Sequence, residues 1–254
     1  MTQRSVVITA GASGIGLAIV RAFVAAGDRV HVCDIDEAGL ARLREELPGV
    51  TSTVCDLADR AAVEAFVAEA AATLGGIDVL INNAGIAGPT TTVETLDPDD
   101  WEAVLAVNLT GTFNVTKNAI PHLKRAGSGV IVFMSSLAGR QGYVQRSPYA
   151  TTKRGIIGFA ETLALELGAD GVRVNAIAPG AVDGERVRSV LRARAEASGR
   201  SLEEETAREL SSQALQYFVD PADIAGLCVF LASDAAKSIT GQTIAIDGGA
   251  RVFK

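Results

Sequence analysis

The sequence predicts an α/β fold in which seven parallel strands form a doubly wound sheet within a single domain. Short apolar runs alternate with segments of helical period through the first half of the chain, as expected for repeated strand–helix–strand units. The runs at 6–8 and 79–81 are apolar without a break, which is typical of strands buried on both faces. The helix-length segments between them favour right-handed crossovers, which keep successive strands parallel.

The elements follow from this alternation in chain order. The predicted strands span residues 4–9, 29–34, 51–55, 77–81, 130–134, 172–176 and 242–246. The predicted helices span residues 14–26, 37–47, 61–74, 98–124, 149–167 and 221–231. Asp97 and Pro98 are typical of the N-cap and the first position of the fourth helix. The charged segment 183–216 is helix-prone, and we interpret it as a substrate-covering part of one domain over 1–254.

Composition limits the classes of function. The 254 residues carry a formal net charge of −7, which disfavours nucleic acid and anionic membrane surfaces as partners, because both would repel the chain. No apolar run approaches the roughly 20 residues needed to cross a bilayer, and no secretory leader is recognisable, so we expect a cytoplasmic protein. Cys33, Cys55 and Cys228 lie in apolar segments and are expected to be buried, reduced thiols. His31 and His122 are isolated, so no metal site is predicted.

A glycine-rich turn follows the first strand, where the sequence from Thr9 to Gly16 is T-A-G-A-S-G-I-G. Glycines at such a turn let the phosphates of a dinucleotide approach the backbone N–H groups of a helix N-terminus, the arrangement of a Rossmann-type sheet. A glycine-rich turn without a ligand is the alternative for this motif taken by itself. The residues predicted to bind the pyrophosphate are Gly11, Ser13, Gly14, Ile15 and Gly16.

An acidic residue, Asp34, ends the second strand. Its carboxylate can accept hydrogen bonds from the ribose hydroxyls of NAD and would repel the 2′-phosphate of NADP. Ser13 and Ile35 add no positive charge nearby, so NAD is the predicted cofactor. Asp34 could instead cap the next helix, but Asp36 is available for that role, which leaves Asp34 free.

Tyr149 and Lys153 form a Y-x-x-x-K pattern on a predicted helix. Residues four apart share one helix face, so both side chains can point into one cleft. An ammonium group close to a phenol favours the phenolate, which makes the tyrosine a usable base near neutral pH. Most such pairs are an exposed lysine beside a half-buried tyrosine, so the pattern is weak by itself.

Two further polar residues strengthen the prediction of a catalytic site. Ser136 follows the fifth strand and precedes Tyr149, where its hydroxyl can hold a substrate oxygen against the phenol. Asn108 lies within a predicted helix, a mildly unfavourable position for asparagine. Its presence there makes sense if the side chain faces a buried polar site.

Taken together, these motifs resemble those of the short-chain dehydrogenase/reductase family. The resemblance rests on the Gly14-x-Gly16 spacing, the N-N-A-G run at 82–85, the order Asn108, Ser136, Tyr149, Lys153, and the P-G pair at 179–180. It implies that these four residues are a catalytic tetrad, in which the lysine also binds the nicotinamide ribose and the asparagine holds a proton-relaying water. The cofactor contacts that it further implies are Asp56, Leu57, Asn83, Ala84, Gly85, Tyr149, Lys153, Pro179, Gly180 and Val182.

The sequence departs from the family pattern at two places. Ala10 stands where the family has its first glycine, and we expect Gly11 to take over the tight backbone geometry. The threonine that usually follows the P-G pair is missing from residues 181–184, so one side-chain contact to the cofactor is expected to be lost or replaced. The D-G-G run at 247–249 resembles a segment that typically packs at a tetramer interface, which implies a homotetramer or a homodimer.

The resemblance implies an NAD-dependent oxidoreductase that interconverts a secondary alcohol and a ketone, with Tyr149 as general acid/base. Polar residues between Ser136 and Tyr149, such as Arg140 and Arg146, favour a small polar substrate: a sugar, a sugar acid or a hydroxy acid. Those arginines could instead be solvated or form salt bridges between subunits. Two other functions stay open, a 3-oxoacyl-thioester (acyl-carrier-protein) reductase of the same family and a non-catalytic NAD-binding regulatory protein.

Overall fold

The sheet is parallel throughout the part of the chain that the computed structural model describes, residues 3–250. Its seven strands are hydrogen-bonded in the order β3-β2-β1-β4-β5-β6-β7. They are β1 (Ser5–Thr9), β2 (Arg29–Asp34), β3 (Thr51–Val54), β4 (Val79–Asn82), β5 (Val130–Met134), β6 (Arg173–Pro179) and β7 (Thr243–Ile246). The predicted α/β fold with a doubly wound, Rossmann-type parallel sheet is therefore confirmed, and the single-domain organisation stays a prediction.

Ten α-helices connect and cover these strands within the same residues. They are α1 (Gly14–Ala25), α2 (Glu37–Glu46), α3 (Arg60–Leu74), α4 (Pro98–Leu105), α5 (Thr112–Ala126), α6 (Leu137–Arg140), α7 (Ser147–Leu167), α8 (Glu185–Ser198), α9 (Leu202–Ser211) and α10 (Pro221–Leu231). The helical segment predicted at 183–216 is present as α8 and α9. Asp97 caps α4 as predicted, since its side chain accepts a hydrogen bond of 2.9 Å from the backbone N–H of Asp99.

Apolar side chains on each face of the sheet form a separate core. Val7, Leu80 and Phe66 belong to one cluster, and Ile8 and Phe23 belong to the other. Every residue of β1, β4 and β5 is buried, which explains why these strands read as continuous apolar runs. With both faces covered by helices, the carboxyl ends of the strands are the part of the sheet that a ligand can reach.

The strand order reverses at β1, because β2 lies on one side of it and β4 on the other. In doubly wound sheets the crevice at this reversal, outside the carboxyl ends of the strands, is the usual place for a ligand. The glycine-rich turn follows β1, Asp34 ends β2 and Ser136 comes shortly after β5. The topology therefore brings the predicted cofactor and catalytic residues to one edge.

The prediction of one helix over 98–124 is wrong at its centre. Residues Ala106–Gly111 form a π-helical turn between α4 and α5. Gly111 packs so closely on Leu57 that a Cβ at 111 would lie 2.6 Å from the Leu57 carbonyl oxygen. Such π turns are inserted into helices most often at functional sites, and the helical period of the sequence gives no sign of one here.

The backbone of the turn between β1 and α1 also differs from expectation. Ala10, rather than Gly11, adopts the left-handed conformation, with φ of 53°, so the expectation that Gly11 takes over the tight geometry is wrong. A glycine at position 11 is required by close packing against β2, because a Cβ there would lie 2.4 Å from a methyl carbon of Val32. Gly16 is packed more closely still, since a Cβ there would overlap the carbonyl oxygen of Ala10. Glycines at 11 and 16 therefore allow α1 to pack tightly on the turn and on β2.

Three further features of the described residues were considered in the sequence analysis: membrane-spanning helices, metal-binding clusters and cysteines. Across residues 3–250, no helix is both long and apolar enough to cross a membrane. The same residues contain no group of three or more His, Cys, Asp or Glu arranged to hold a metal ion. Cys33, Cys55 and Cys228 are buried free thiols, as predicted.

His31 is a polar residue buried in β2, with 1% of its surface exposed. Its ring nitrogens lie 2.8 and 2.9 Å from the hydroxyl oxygens of Thr51 and Thr53, and the Thr53 hydroxyl donates to Glu69. Burial lowers the pKa of His31 below its ordinary value of 6.5, against a smaller opposing effect of the Glu69 carboxylate. The site therefore favours the neutral imidazole.

We expect His31 to make the fold sensitive to acid. Because folding lowers the pKa of His31, the unfolded chain binds the proton more readily, and the free energy of unfolding falls as the pH drops below about 6.5. One such group contributes a slope of at most about 1.4 kcal/mol per pH unit. Urea unfolding of the wild type and of His31→Gln, between about pH 5.5 and pH 8, should show that the variant lacks this contribution.

The control for this measurement is His122→Gln, a substitution on the half-exposed surface of α5. The pKa of His122 is also lowered, by partial burial and by the charge of Arg125, so this substitution removes a contribution of the same sign. Because His122 is less buried than His31, the His122→Gln variant should keep more of the wild-type pH dependence than His31→Gln does. Equal pH slopes for the wild type and His31→Gln would contradict the prediction.

Candidate active site

Side chains from α7, the π-helical turn and the loop after β4 meet at the carboxyl edge of the sheet. Gly85 lies between them: a Cβ at this position would be 3.1 Å from Lys153 Nζ and 3.2 Å from Asn108 Oδ1. A side chain at 85 would therefore displace both groups. Close packing therefore explains why the N-N-A-G run ends in glycine. Two predicted catalytic residues, Asn108 and Lys153, lie next to it.

Tyr149 and Lys153 lie one helical turn apart on α7, and the ammonium nitrogen is 5.7 Å from the centroid of the Tyr149 ring. Lys153 is 3% exposed and donates a hydrogen bond of 2.8 Å to the carbonyl oxygen of Met134 at the end of β5. The hydroxyl of Ser135 donates to the backbone oxygen of Lys153 at 2.8 Å. A buried ammonium beside a half-buried phenol argues against the alternative of an exposed lysine.

Asn108 is completely buried, and its amide group is held by the loop after β4. Its Oδ1 accepts a hydrogen bond of 2.7 Å from the backbone N–H of Ile86, and its Nδ2 donates to the Ile86 carbonyl oxygen at 2.9 Å. Nδ2 also donates to the hydroxyl oxygen of Thr152 at 3.2 Å. The expected buried polar environment of Asn108 is confirmed. Thr152 was missed by the sequence analysis, because a threonine inside a helix carries no signal of such a contact.

Ser136 begins the short helix α6, which the sequence analysis missed because four residues are too few to show a period. The Ser136 Oγ accepts a hydrogen bond of 3.2 Å from the backbone N–H of Ala138 as the N-cap of that helix. Its hydroxyl proton can still be donated to a substrate oxygen. Gly139 lets α6 approach α7, since a Cβ there would lie 2.6 Å from the backbone oxygen of Lys153.

Thr9 and Asn83 join the glycine-rich turn to the loop after β4. The Thr9 hydroxyl oxygen accepts hydrogen bonds of 3.0 Å from the backbone N–H groups of Asn83 and Ala84. Asn83 Nδ2 donates to the carbonyl oxygens of Thr9 and Ala10, at 3.1 and 3.0 Å. Two predicted cofactor residues, Asn83 and Ala84, therefore hold the turn in place. Thr9 itself was missed, although a threonine between a buried strand and a glycine-rich turn is a usable signal.

The first turn of α1 is accessible to an anionic ligand. Ser13 is the N-cap residue of α1, and its side chain makes no capping hydrogen bond. Ser13 and Gly14 are exposed, and Ile15 is half-buried. Backbone N–H groups at a helix N-terminus attract phosphate, so these residues fit the pyrophosphate of a dinucleotide.

Asp34 does not cap α2, as expected, but its carboxylate accepts hydrogen bonds from the backbone. Its Oδ2 accepts a hydrogen bond of 3.0 Å from the N–H of Ala12, and its Oδ1 accepts one of 3.1 Å from the N–H of Asp36. Asp36 caps α2 as expected, through a hydrogen bond of 2.9 Å from the N–H of Gly39. Each carboxylate oxygen can accept more than one hydrogen bond, so Asp34 is still able to bind ribose hydroxyls.

The residues expected to hold the adenine follow β3. Asp56 is exposed and accepts a hydrogen bond of 2.9 Å from the backbone N–H of Ala58. Leu57 is buried, and its carbonyl oxygen lies against Gly111 of the π-helical turn. This contact ties the adenine end of the predicted cofactor site to the segment that carries Asn108.

The residues expected near the nicotinamide follow β6. Pro179 ends that strand, and Gly180 donates its N–H to the carbonyl oxygen of Ile246 at 3.0 Å. Val182 pairs with Val219 in a parallel bridge whose hydrogen bonds are made by the residues on either side of Val182. The N–H and C=O of Val182 itself therefore point away from Val219, which leaves them available for a carboxamide.

The arginines that were expected to favour a polar substrate form hydrogen bonds or ion pairs with other residues of the chain. Arg146 donates to the carbonyl oxygen of Gly88 at 3.2 Å, and Arg140 lies 3.6 Å from the Asp247 carboxylate. Around α8 and α9 the ion pairs are Arg188–Asp183, Arg192–Glu185, Arg194–Glu209 and Arg200–Glu205. Arg140 therefore forms an ion pair within the chain, which the sequence analysis did not anticipate, and Arg146 is bound to backbone.

Comparison with known proteins places this site among oxidoreductases. The family model described as enoyl-(acyl carrier protein) reductase matches residues 9–251. The probable galactose dehydrogenase of Rhizobium meliloti (strain 1021) is 37% identical over 254 residues, which cover 98% of this chain and 95% of that protein.

Two solved structures are similar over nearly their whole length. A variant of actinorhodin polyketide ketoreductase with NADPH has a TM-score of 0.92 and 34% identity, and the match covers 97% of each chain. NAD⁺-bound xylitol dehydrogenase has a TM-score of 0.90 and 30% identity, over 96% of this chain and 97% of that chain. With the sheet order, the glycine-rich turn and the Asn108–Tyr149–Lys153 arrangement already in place, these matches show that the chain belongs to the short-chain dehydrogenase/reductase family.

Proposed function

We propose that this oxidoreductase uses NAD to interconvert a secondary alcohol and a ketone, with Tyr149 as general acid/base. The observation that carries the proposal is the buried ammonium of Lys153, 5.7 Å from the ring of Tyr149 at the sheet edge that also holds the glycine-rich turn. An ammonium group at this distance favours the phenolate over the phenol. A tyrosine in that state can exchange protons with an alcohol.

Each residue of the tetrad then has a separate task. Tyr149 takes the hydroxyl proton of the substrate in oxidation and returns it in reduction, and Lys153 stabilises the phenolate by its charge. Ser136 donates its hydroxyl proton to the substrate oxygen and so holds that oxygen against Tyr149. Asn108 is fixed on Ile86 and keeps the π-helical turn next to Lys153, where it supports the relay of protons. The bound dinucleotide accepts or supplies the hydride.

Asp34 supports NAD as the cofactor. Its half-buried carboxylate lies at the end of β2 and is oriented by the backbone N–H groups of Ala12 and Asp36. A carboxylate in this position accepts hydrogen bonds from ribose hydroxyls and repels a 2′-phosphate. Among the similar structures, the xylitol dehydrogenase contains NAD⁺ and the ketoreductase contains NADPH, so the preference follows from Asp34 rather than from the relatives.

A small uncharged polyol or sugar is the substrate that the site favours. A site selective for a carboxylate needs a cation that is free to bind it. Arg140 and Arg194 are paired with Asp247 and Glu209, and Arg146 directs its guanidinium to the carbonyl oxygen of Gly88. The names of two relatives, a galactose dehydrogenase and a xylitol dehydrogenase, point to the same class. A 3-oxoacyl-thioester reductase is the second candidate, favoured by the ketoreductase relative and by a relative with that name that is 38% identical over 95% of this chain.

The protein is further proposed to work in the cytoplasm as a homotetramer or a homodimer. An apolar groove of about 340 Å³ on the outer surface of α5 and α7 is lined by Leu109, Thr110, Phe113 and Phe159. Leu165 on α7 is 86% exposed. Exposed apolar surface of this kind is typical of a protein–protein contact, and a second copy of the chain is the partner proposed for it.

Tyr149→Phe tests the general acid/base directly, because it removes the reacting oxygen and keeps the ring. We expect kcat to fall by about a hundredfold or more, while NADH binding, followed by fluorescence titration, changes much less, because only one of the expected cofactor contacts is altered. Tyr217→Phe, at an exposed position, is the matched control and should keep the activity of the wild type. Substantial turnover by Tyr149→Phe would exclude the proposed role.

Asp34→Asn tests the basis of cofactor choice. Asparagine keeps an oxygen that can accept the N–H of Ala12 but removes the negative charge, so the ratio of kcat/KM with NAD to that with NADP should fall by about tenfold or more. Asp36→Asn, at the N-cap of α2, should leave the ratio unchanged. If both variants kept the ratio of the wild type, Asp34 would not be the discriminating residue.

Matched substrate pairs test the substrate class. We expect kcat/KM with NAD⁺ for xylitol or galactose to exceed that for galacturonate or 3-hydroxybutyrate by about tenfold or more, because Arg140 and Arg194 are already paired with carboxylates of the chain and Arg146 is bound to a backbone carbonyl oxygen. A preference for the acids would overturn the assignment to neutral substrates. Reduction of an acetoacetyl thioester in preference to all of these would favour the second candidate. NAD binding without turnover of any of them would favour a regulatory protein.

A further inference from the structure

Thr152 lies between Tyr149 and Lys153 in the sequence and is completely buried, whereas its neighbour Thr151 is exposed. Its hydroxyl group makes two hydrogen bonds. The Oγ1 donates to the backbone oxygen of Tyr149 at 2.9 Å and accepts from Nδ2 of Asn108 at 3.2 Å. One hydroxyl therefore joins the helix that carries the phenol and the ammonium to the side chain of the tetrad asparagine.

The bond to the Tyr149 backbone would not by itself single out Thr152. Hydroxyl groups within helices often donate to a carbonyl three or four residues earlier, and Thr112, Thr116 and Thr162 do so in this chain. The second bond is the distinguishing observation, because its donor is the side chain of Asn108 on another element. It connects α7 across the site to the π-helical turn.

These hydrogen bonds fix the orientation of the Asn108 amide group. The backbone N–H of Ile86 requires the amide oxygen, and the Ile86 carbonyl requires the amide nitrogen. The remaining N–H of Nδ2 is directed to Thr152. Without the Thr152 hydroxyl this buried N–H would lose its acceptor, a change that costs more than the bond itself is worth because the group cannot reach water.

Because Asn108 lies close to Lys153, the hydrogen bond from Asn108 to Thr152 also influences the surroundings of Lys153. Asn108 Oδ1 and Lys153 Nζ both lie within 3.2 Å of the place where Gly85 would carry a Cβ. A shift of the Asn108 amide therefore changes the surroundings of the ammonium that stabilises the Tyr149 phenolate. Small displacements of this kind are sufficient to reduce the rate of an oriented proton transfer.

We propose that Thr152 is a positioning residue, whose hydroxyl fixes the distance between α7 and the π-helical turn and thereby aligns Tyr149 and Lys153 with the substrate. It acts through Asn108 and does not touch the reacting atoms. The proposal rests on the proposed dehydrogenase function for its kinetic consequences. Its structural part concerns the π-helical turn and can be measured without substrate.

Thr152→Val removes the hydroxyl and keeps the shape of the side chain, and Thr152→Ser keeps the hydroxyl. We expect Thr152→Val to lower kcat by about tenfold with little change in the KM for NAD⁺, and to move the acidic limb of the pH profile of kcat to higher pH. Thr152→Ser should restore most of the rate and the profile of the wild type. Thr151→Val, next to it on the exposed face, is the matched control.

Hydrogen–deuterium exchange of residues 106–111 provides a readout that does not need activity. This segment should exchange faster in Thr152→Val than in Thr151→Val or in the wild type, because it has lost its link to α7. Should Thr152→Val fail to fold, Thr152→Ala and Thr152→Ser are compared in the same way.

The outcomes separate the two proposals. A wild type without turnover of any alcohol would remove the proposed function, and faster exchange at 106–111 would still support the role of Thr152. If Thr152→Val and Thr151→Val had the same kcat, pH profile and exchange, the proposal would be overturned. A lower thermal stability of Thr152→Val with an unchanged pH profile and rate would also overturn it, since that result describes an ordinary buried threonine.

Discussion

The burial of one ammonium group, that of Lys153, is the constraint on which the rest of the site depends. A charge taken out of water is costly unless protein oxygens replace the water, and the carbonyl oxygen of Met134 at the end of β5 is one such oxygen. The surrounding backbone must then come close: a Cβ at position 139 would clash with the backbone oxygen of Lys153, and one at position 85 would force the Lys153 and Asn108 side chains to shift. The parallel sheet supplies this environment because its strand ends leave carbonyl oxygens at the edge where α7 packs.

The cofactor half of the site and the catalytic half are joined by side chains rather than by the sheet alone. Asn83, in the loop after β4, donates two hydrogen bonds to Thr9 at the start of the glycine-rich turn. The next residues of that loop, at Ile86, hold the amide of Asn108. Two sets of hydrogen bonds, joined by the backbone of residues 84–86, therefore connect the pyrophosphate turn to the π-helical turn. This continuity explains how a dinucleotide and a substrate oxygen can be held in one fixed relation.

Sequence patterns predicted most of the fold and the convergence of the candidate site, for physical reasons. Strands that are buried on both faces of a parallel sheet are apolar along their whole length, so apolar runs in the sequence predicted where they lie. Because all the strands are parallel, residues that follow them, such as Asp34 and Ser136, lie at the same edge of the sheet. The π-helical turn could not be predicted, because it depends on the packing of Gly111 against Leu57 and not on local propensity. The pairing of Arg140 with Asp247 could not be predicted either, since these residues are distant in sequence. Likewise, nothing local shows that Asp34 accepts the N–H of Ala12.

The left-handed backbone of Ala10 limits which residues this position can tolerate. A non-glycine residue in that conformation carries a strain of about 1 to 2 kcal/mol, part of which is offset by the hydrogen bond from Asn83 Nδ2 to the Ala10 carbonyl oxygen. Glycine would relieve the strain, and asparagine or aspartate would adopt the conformation more readily than most residues. Valine, isoleucine and threonine are excluded, because a branched Cβ fits this region of backbone space worst of all. Substitution by drift at position 10 is therefore confined to a few small or locally hydrogen-bonding side chains, even though the residue itself performs no chemistry.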